Sequence, residues 1–181
     1  MERRVAIRPV ERTDAFRAIS VAERSLSAER RQWIGLAIVA VAAVAADQIT
    51  KHVVASSIAL DNAVKLFGPF SIHHVQNSGI AFGLFSSATV VVIVLTTVAV
   101  VWMLVFFGRS GARHPALPVA LGLLIGGSVS NLVDRVRLGY VTDFLDLRWW
   151  PAFNLADASI VVGVAVLLGS LLLSDSSAPR S

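Results

Sequence analysis

Asp143 and Asp157 stand on either side of WWPAF in the stretch VTDFLDLRWWPAFNLADASI, residues 141–160. One lies just before an apolar run and the other in what is expected to be that run's first turn. The loop between them is able to fold back, which would bring the two carboxyls together. Carboxylates held close cannot both ionise cheaply, so one proton is shared and their apparent pKa values split. The ionised partner then draws a proton from water, and the protonated one donates to a carbonyl oxygen as the tetrahedral species forms. This is peptide hydrolysis without metal, thiol or serine. Because it consumes water, the site is expected at a membrane rim rather than at mid-bilayer.

Other reaction classes find less support. The chain has no cysteine, which removes thiolate nucleophiles, thiolate metal sites and disulfides together. His52, His73, His74 and His114 show no metal-ligand spacing, and adjacent residues of a strand point to opposite faces. No metal and no cofactor are expected. Ser128 has Gly-rich surroundings in GGSVS, but a serine nucleophile needs a base within reach, and all four histidines are expected in loops or at a helix end.

Further polar residues fall at the same level as the pair: Asp47 and Lys51, then Asn131, Asp134 and Arg135, then Asn154, with Asn77 in a loop. Ionisable groups inside membrane segments are costly and usually functional. Each also has a plainer reading. Asp47 and Lys51 are spaced as a helical ion pair. Asn154 could cap a helix whose third position is Asp157. The glycines of IGGS permit close helix approach. Asp146 and Arg148 read as solvated loop charges, and Trp149 and Trp150 as an interfacial belt. The convergence of several stretches at one depth is the stronger signal.

The elements that must position these groups are apolar. The chain is 55% hydrophobic and 15% charged, against about a quarter charged in soluble domains. Four apolar segments run from Trp33 to about Ala55, 88–107, 116–135 and 155–173. Each is close to the roughly 20 residues that cross a bilayer core. The second is rich in β-branched residues, yet in lipid the backbone must satisfy itself as a helix. An all-α membrane protein of four transmembrane helices is expected, with a small extracytoplasmic β-rich unit at about 56–87, where Phe70, Phe82 and Phe85 reach the interface. Arginines before the first segment, at Arg109 and Arg113, and at Arg180 fall on one side, so both termini are expected in the cytoplasm. Residues 1–31, Arg-rich from Arg3 on, are expected to form a poorly ordered extension. The membrane domain then covers 32–174 and a tail covers 175–181. The basic lead and Ala-rich run also resemble a cleavable signal peptide, but cleavage near Ala46 would leave three spans. The net charge of +4 is better read as topology than as nucleic-acid binding.

DQITK at 47–51, QNSGIAFG at 76–83, GGSVSNLVDR at 126–135, GYVTDF at 139–144 and PAFNLAD at 151–157 together resemble the lipoprotein signal peptidase (signal peptidase II) family, over about residues 33–173. The resemblance implies a multi-pass aspartic peptidase of the bacterial inner membrane with its site near the outer face. It would remove signal peptides from prolipoproteins just before a cysteine carrying diacylglyceryl. Membrane lipid would be a partner and the cyclic peptide globomycin an inhibitor. By motif position it implies Asp143 and Asp157 as catalytic residues. Asp47, Lys51, Asn77, Gly79, Asn131, Asp134, Arg135, Asn154 and Ala156 would support the pair or contact substrate. Two departures stand out. Ser130 takes a place often held by Gly, which predicts looser helix packing, and Ile80 replaces a small residue. The reading from another class is a small membrane transport or assembly protein whose polar cluster binds a proton or ion.

Overall fold

Runs of Val, Leu, Ile and Ala build helices here because no other backbone arrangement satisfies its own polar groups in lipid. In the computed structural model they form α1 (Arg12–Ser57), α2 (Thr89–Ser110), α3 (Leu117–Leu138) and α4 (Leu155–Asp175). The structure describes residues 12–79, 89–110 and 115–175; for 12–29, 110, 171 and 173–175 it gives the path of the helix alone. The expectations placed on residues 1–11, Ile80, Phe82, Phe85, Arg113, His114 and Arg180 lie outside the described residues. Three helical stretches, Arg30–Ser57, Thr89–Arg109 and Leu117–Leu138, are long and apolar enough to cross a membrane, and α4 adds a shorter apolar stretch, Leu155–Ser170. The β-branched α2 is helical throughout. Val94, Val98 and Trp102 on α2 and Val161 and Leu172 on α4 are exposed, the inverse of a water-soluble surface.

The central helix is α3, and small residues let its neighbours approach on two faces. A side chain at Gly122 would strike Val39 of α1, and one at Gly126 would strike Ala40 and Ala43. Contact positions rise together on both helices, so α1 and α3 run parallel. Gly127 lies against the Ala156 carbonyl and Ile160 of α4, while Gly163 of α4 lies against Ala120 and Leu124. Here the positions run opposite ways, so α4 is antiparallel to α3. Trp33 of α1 meets Phe107 of α2 edge-on at 4.8 Å, so the start of α1's apolar stretch, which runs from Arg30, lies beside the end of α2. Leu36, Phe107, Leu117, Leu121 and Ile125 form the buried apolar core at that end. The opposite end carries the polar residues.

A three-stranded antiparallel sheet in the order β1-β2-β3 closes the polar end. The strands β1 (Ala63–Phe67) and β2 (Phe70–Asn77) fall in the region expected to be β-rich. The expectation that this unit is confined to 56–87 is corrected: β3 (Val141–Asp146) comes from the connection between α3 and α4. Gly139 explains the turn. Its φ of 83° is left-handed, and its N–H caps the Arg135 carbonyl at 3.1 Å, ending α3 and sending the chain back along β2. Asp143 is therefore a strand residue. After β3 the chain returns at once, because Leu145 and Phe153 exchange backbone hydrogen bonds of 2.7 and 3.0 Å. That clasp closes the 146–152 loop and delivers the chain to α4.

Candidate active site

Strand pairing places the first carboxyl. Val75 of β2 faces Asp143 of β3, so Asn77, two residues from Val75, projects from the same face of the sheet. Asn77 Nδ2 donates to Asp143 Oδ2 at 3.0 Å. A helix start places the second. The Asp157 N–H donates to Asn154 Oδ1 at 2.9 Å, and the Asn154 N–H donates to Asp157 Oδ2 at 3.2 Å. This reciprocal cap opens α4 and leaves the Asn154 amide facing Asp143, where Nδ2 donates to Oδ1 at 2.7 Å. Asn154 is thus both the helix cap and the link between the two acids. Asn131 Nδ2, from α3, donates to Asp157 Oδ1 at 2.9 Å.

Three carboxamides therefore turn their NH₂ groups toward the two acids, and the orientation of each is fixed. The oxygen of Asn77 accepts from the Gly79 N–H at 3.0 Å, and that of Asn154 accepts from the Asp157 N–H. The oxygen of Asn131 accepts from Lys51 Nζ at 2.8 Å and from Asn154 Nδ2 at 3.1 Å. Rotating any of these amides would set donor against donor.

Behind Asn131 lies a second polar group. Lys51 Nζ reaches Asp47 Oδ2 at 2.6 Å and Asp134 Oδ2 at 2.8 Å. All three side chains are buried, so the pair spaced for a surface ion pair is an interior one. Asp47 Oδ1 accepts the Ala156 N–H at 2.9 Å, tying α1 to the turn that carries Asp157. Arg135 donates to the carbonyls of Asn131 and Gly79 at 3.3 and 3.2 Å, and its Nε is buried with no partner among the described residues.

The two acids open onto a cavity of about 790 Å³. Asn77, Asn131, Arg135, Asp143 and Asp157 stand at its polar end, while Val92, Thr96 and Ile160 continue it along the helices. The carboxyl of Asp143 is pushed up to about 6. Burial is the main cause and the charge of Asp157 adds to it; the amides of Asn77 and Asn154 and the charge of Lys51 pull the other way. Such a group loses its proton near neutral pH, where acid–base work is done.

Asp47, Lys51, Asn77, Gly79, Asn131, Asp134, Arg135, Asn154 and Ala156 all join Asp143 and Asp157 in this assembly, whereas Asp146, read as a solvated loop charge, is the half-buried last residue of β3, 3.5 Å from His73 Nδ1; Arg148 is exposed beyond it, and Trp149 and Trp150, read as an interfacial belt, line the cavity. The Asp146 side chain caps the Arg148 N–H at 2.8 Å. His74 is turned to the Ile58 carbonyl, 2.8 Å from its Nδ1. Among the described residues no group of three or more His, Asp or Glu is arranged to hold a metal ion. Two residues of the assembly had no role in the sequence reading, Gln48 and Ser130. The looser packing expected at Ser130 is corrected: the residue is fully buried, and its hydroxyl donates to Asp47 Oδ2 at 2.7 Å.

Comparison with known proteins agrees with this picture. The family profile described as signal peptidase (SPase) II matches residues 39–173. Proteins named lipoprotein signal peptidase from Moorella thermoacetica and Symbiobacterium thermophilum are each 39% identical to the chain. Both matches cover 75% of the chain, and 91% and 93% of the two relatives respectively. A solved structure of a bacterial membrane enzyme superposes with a TM-score of 0.75 at 28% identity, covering 81% of this chain and 92% of that one. A second superposes at 0.69 with 29% identity, covering 76% and 92%. The fold and the match define a membrane-integrated peptidase. The chain belongs to the signal peptidase II family, and the transport or assembly reading gives way to hydrolysis.

Proposed function

We propose that the chain is a four-span aspartic endopeptidase of the bacterial inner membrane, with Asp143 and Asp157 as its catalytic pair. Its substrates are prolipoproteins, cut just before a cysteine bearing diacylglyceryl. The observation that carries the pair is that both carboxyls line one cavity while three oriented amides hold them. The cavity's apolar length suits a substrate that is itself lipid-bound.

In the reaction, one carboxylate takes a proton from water and the resulting hydroxide adds to the scissile carbonyl carbon. The other carboxyl gives its proton to the carbonyl oxygen. The tetrahedral species then collapses: the C–N bond breaks and the amine leaves with a proton returned by the first acid. Arg135 and Gly79 belong to the substrate-contacting rim, the free Nε of Arg135 being a donor for a peptide carbonyl. Asp47, Lys51, Asn77, Asn131, Asp134, Asn154 and Ala156 orient the pair. The alternation of helix directions supports both termini on one side, the cytoplasm, with 1–31 and 175–181 flanking the 32–174 domain and the site at the outer face. Globomycin is expected to occupy the same cavity.

The test is a gel-shift assay with purified enzyme on a diacylglyceryl-modified prolipoprotein and on the same precursor unmodified. The modified precursor alone should yield a shorter product, and globomycin should stop it. Equal cleavage of both precursors would remove the lipid requirement, and no cleavage of either would remove the assignment.

A further inference from the structure

Lys51 has three ammonium hydrogens, and the structure gives it three acceptors: Asp47, Asp134 and the Asn131 oxygen. Its position decides which end of the Asn131 amide meets Asp157. With Nζ against Oδ1, only Nδ2 is left for the catalytic carboxyl. If Lys51 moved, only the longer 3.1 Å bond from Asn154 Nδ2 would keep the Asn131 oxygen turned away from Asp157, and rotation would set an acceptor against an acceptor. The question is then what holds Lys51.

Its two carboxylates are themselves held, and by two residues that stand within the motifs quoted above but were given no part in supporting the acids. Ser130 Oγ donates to Asp47 Oδ2 at 2.7 Å. Gln48 Nε2 donates to Asp134 Oδ1 at 2.7 Å and to Ser130 Oγ at 3.0 Å. The hydroxyl thus passes a hydrogen bond from Gln48 on to Asp47, joining both carboxylates through neutral groups on the side away from the cavity. Neither Gln48 nor Ser130 lines the cavity. Geometry on α3 makes this possible. Successive helix residues point about 100° apart, so Ser130 faces α1 while Asn131 faces α4, just as Gly126 and Gly127 do one turn earlier.

We propose that Ser130 and Gln48 are positioning residues for catalysis. They fix Asp47 and Asp134 around Lys51, and through Lys51 they fix the Asn131 amide on Asp157. A second route runs through Asp47 Oδ1 to the Ala156 N–H, which sets the first turn of α4. The proposal rests on Asp143 and Asp157 being the catalytic pair.

Ser130→Ala removes the hydroxyl, and Gln48→Met removes the amide at similar length. Each should lower kcat roughly tenfold, the scale of one charge-assisted hydrogen bond, and leave KM within about twofold. Because Ser130 acts through Asp47, Ser130→Ala placed in an Asp47→Asn background should cost little further. If Ser130→Ala does not fold, Gln48→Met alone decides. Unchanged kcat in the folded variants, a change confined to KM, or full additivity with Asp47→Asn would overturn the proposal. Asp143→Asn serves as the separating control. If it is inactive while Ser130→Ala is normal, the network idea alone fails; if it is active, the catalytic assignment itself fails.

Discussion

Two pairs of aspartates sit within one polar cluster, and their surroundings differ in kind. Asp47 and Asp134 share a buried cation: each meets Lys51 Nζ, at 2.6 and 2.8 Å, their remaining oxygens are taken by the backbone of Ala156 and by Gln48, and Ser130 donates to the Asp47 oxygen that meets Lys51. Among the described residues, Asp143 and Asp157 form no ion pair. Their partners are neutral amides, and they face a cavity. The same side chain is thus made inert in one place and reactive in the other. A carboxylate whose oxygens are all taken by an ammonium and fixed donors has none free for substrate or water. Asp143, desolvated beside a second acid and held by amides, is pushed up to about 6 and so is poised to gain or lose a proton.

The largest expected effect belongs to the cavity pair. Asp143→Asn and Asp157→Asn should each reduce cleavage by on the order of a thousandfold or more, since each removes an acid–base partner, while the protein stays folded in detergent. Near-normal turnover of either purified variant would erase the distinction between the pairs. Next comes the cation. Lys51→Met leaves two buried carboxylates uncompensated, and a thermal or denaturant melt should show a loss of about 3–5 kcal/mol. An unchanged melt would mean that the inner pair is not held by charge.

A smaller effect separates the pairs by pH. Asp143 is raised from an ordinary 3.8 to about 6, so the folded protein keeps its proton where the unfolded chain has lost it. Stability therefore falls as pH rises through that window, and the whole penalty, on the order of 2–3 kcal/mol, is present above pH 6. Asp143→Asn carries no such penalty. Its melting point should exceed that of the parent above pH 6, and the gap should narrow toward pH 4. A gap that does not change with pH would contradict the burial cost. Smallest of all, Asp146→Asn at the end of β3 and Arg148→Ala on the exposed loop beyond it should change stability by no more than about 0.5 kcal/mol and leave turnover in place.

Much of the site was legible because lipid makes polar residues conspicuous. Asp47, Lys51, Asn131, Asp134, Asn154 and Asp157 stand out against apolar helices, and one helical period from Asn154 to Asp157 already suggested the cap. What escaped was direction. VTDFLD is short and mostly apolar, so neither its strand state nor its pairing with β2 follows from its own residues; both depend on the turn at Gly139. Ser130 and Gln48 escaped for a related reason. A serine in a helix most often bonds its own backbone, and only the facing of α1 and α3 shows that this hydroxyl points at Asp47.

The most direct measurement sets the two pairs side by side: single-turnover cleavage of a lipid-modified prolipoprotein by purified Asp143→Asn and Asp47→Asn, each confirmed as folded. The account predicts no product from the first and slowed but measurable product from the second. Product from Asp143→Asn at a rate equal to or above that of Asp47→Asn would contradict it.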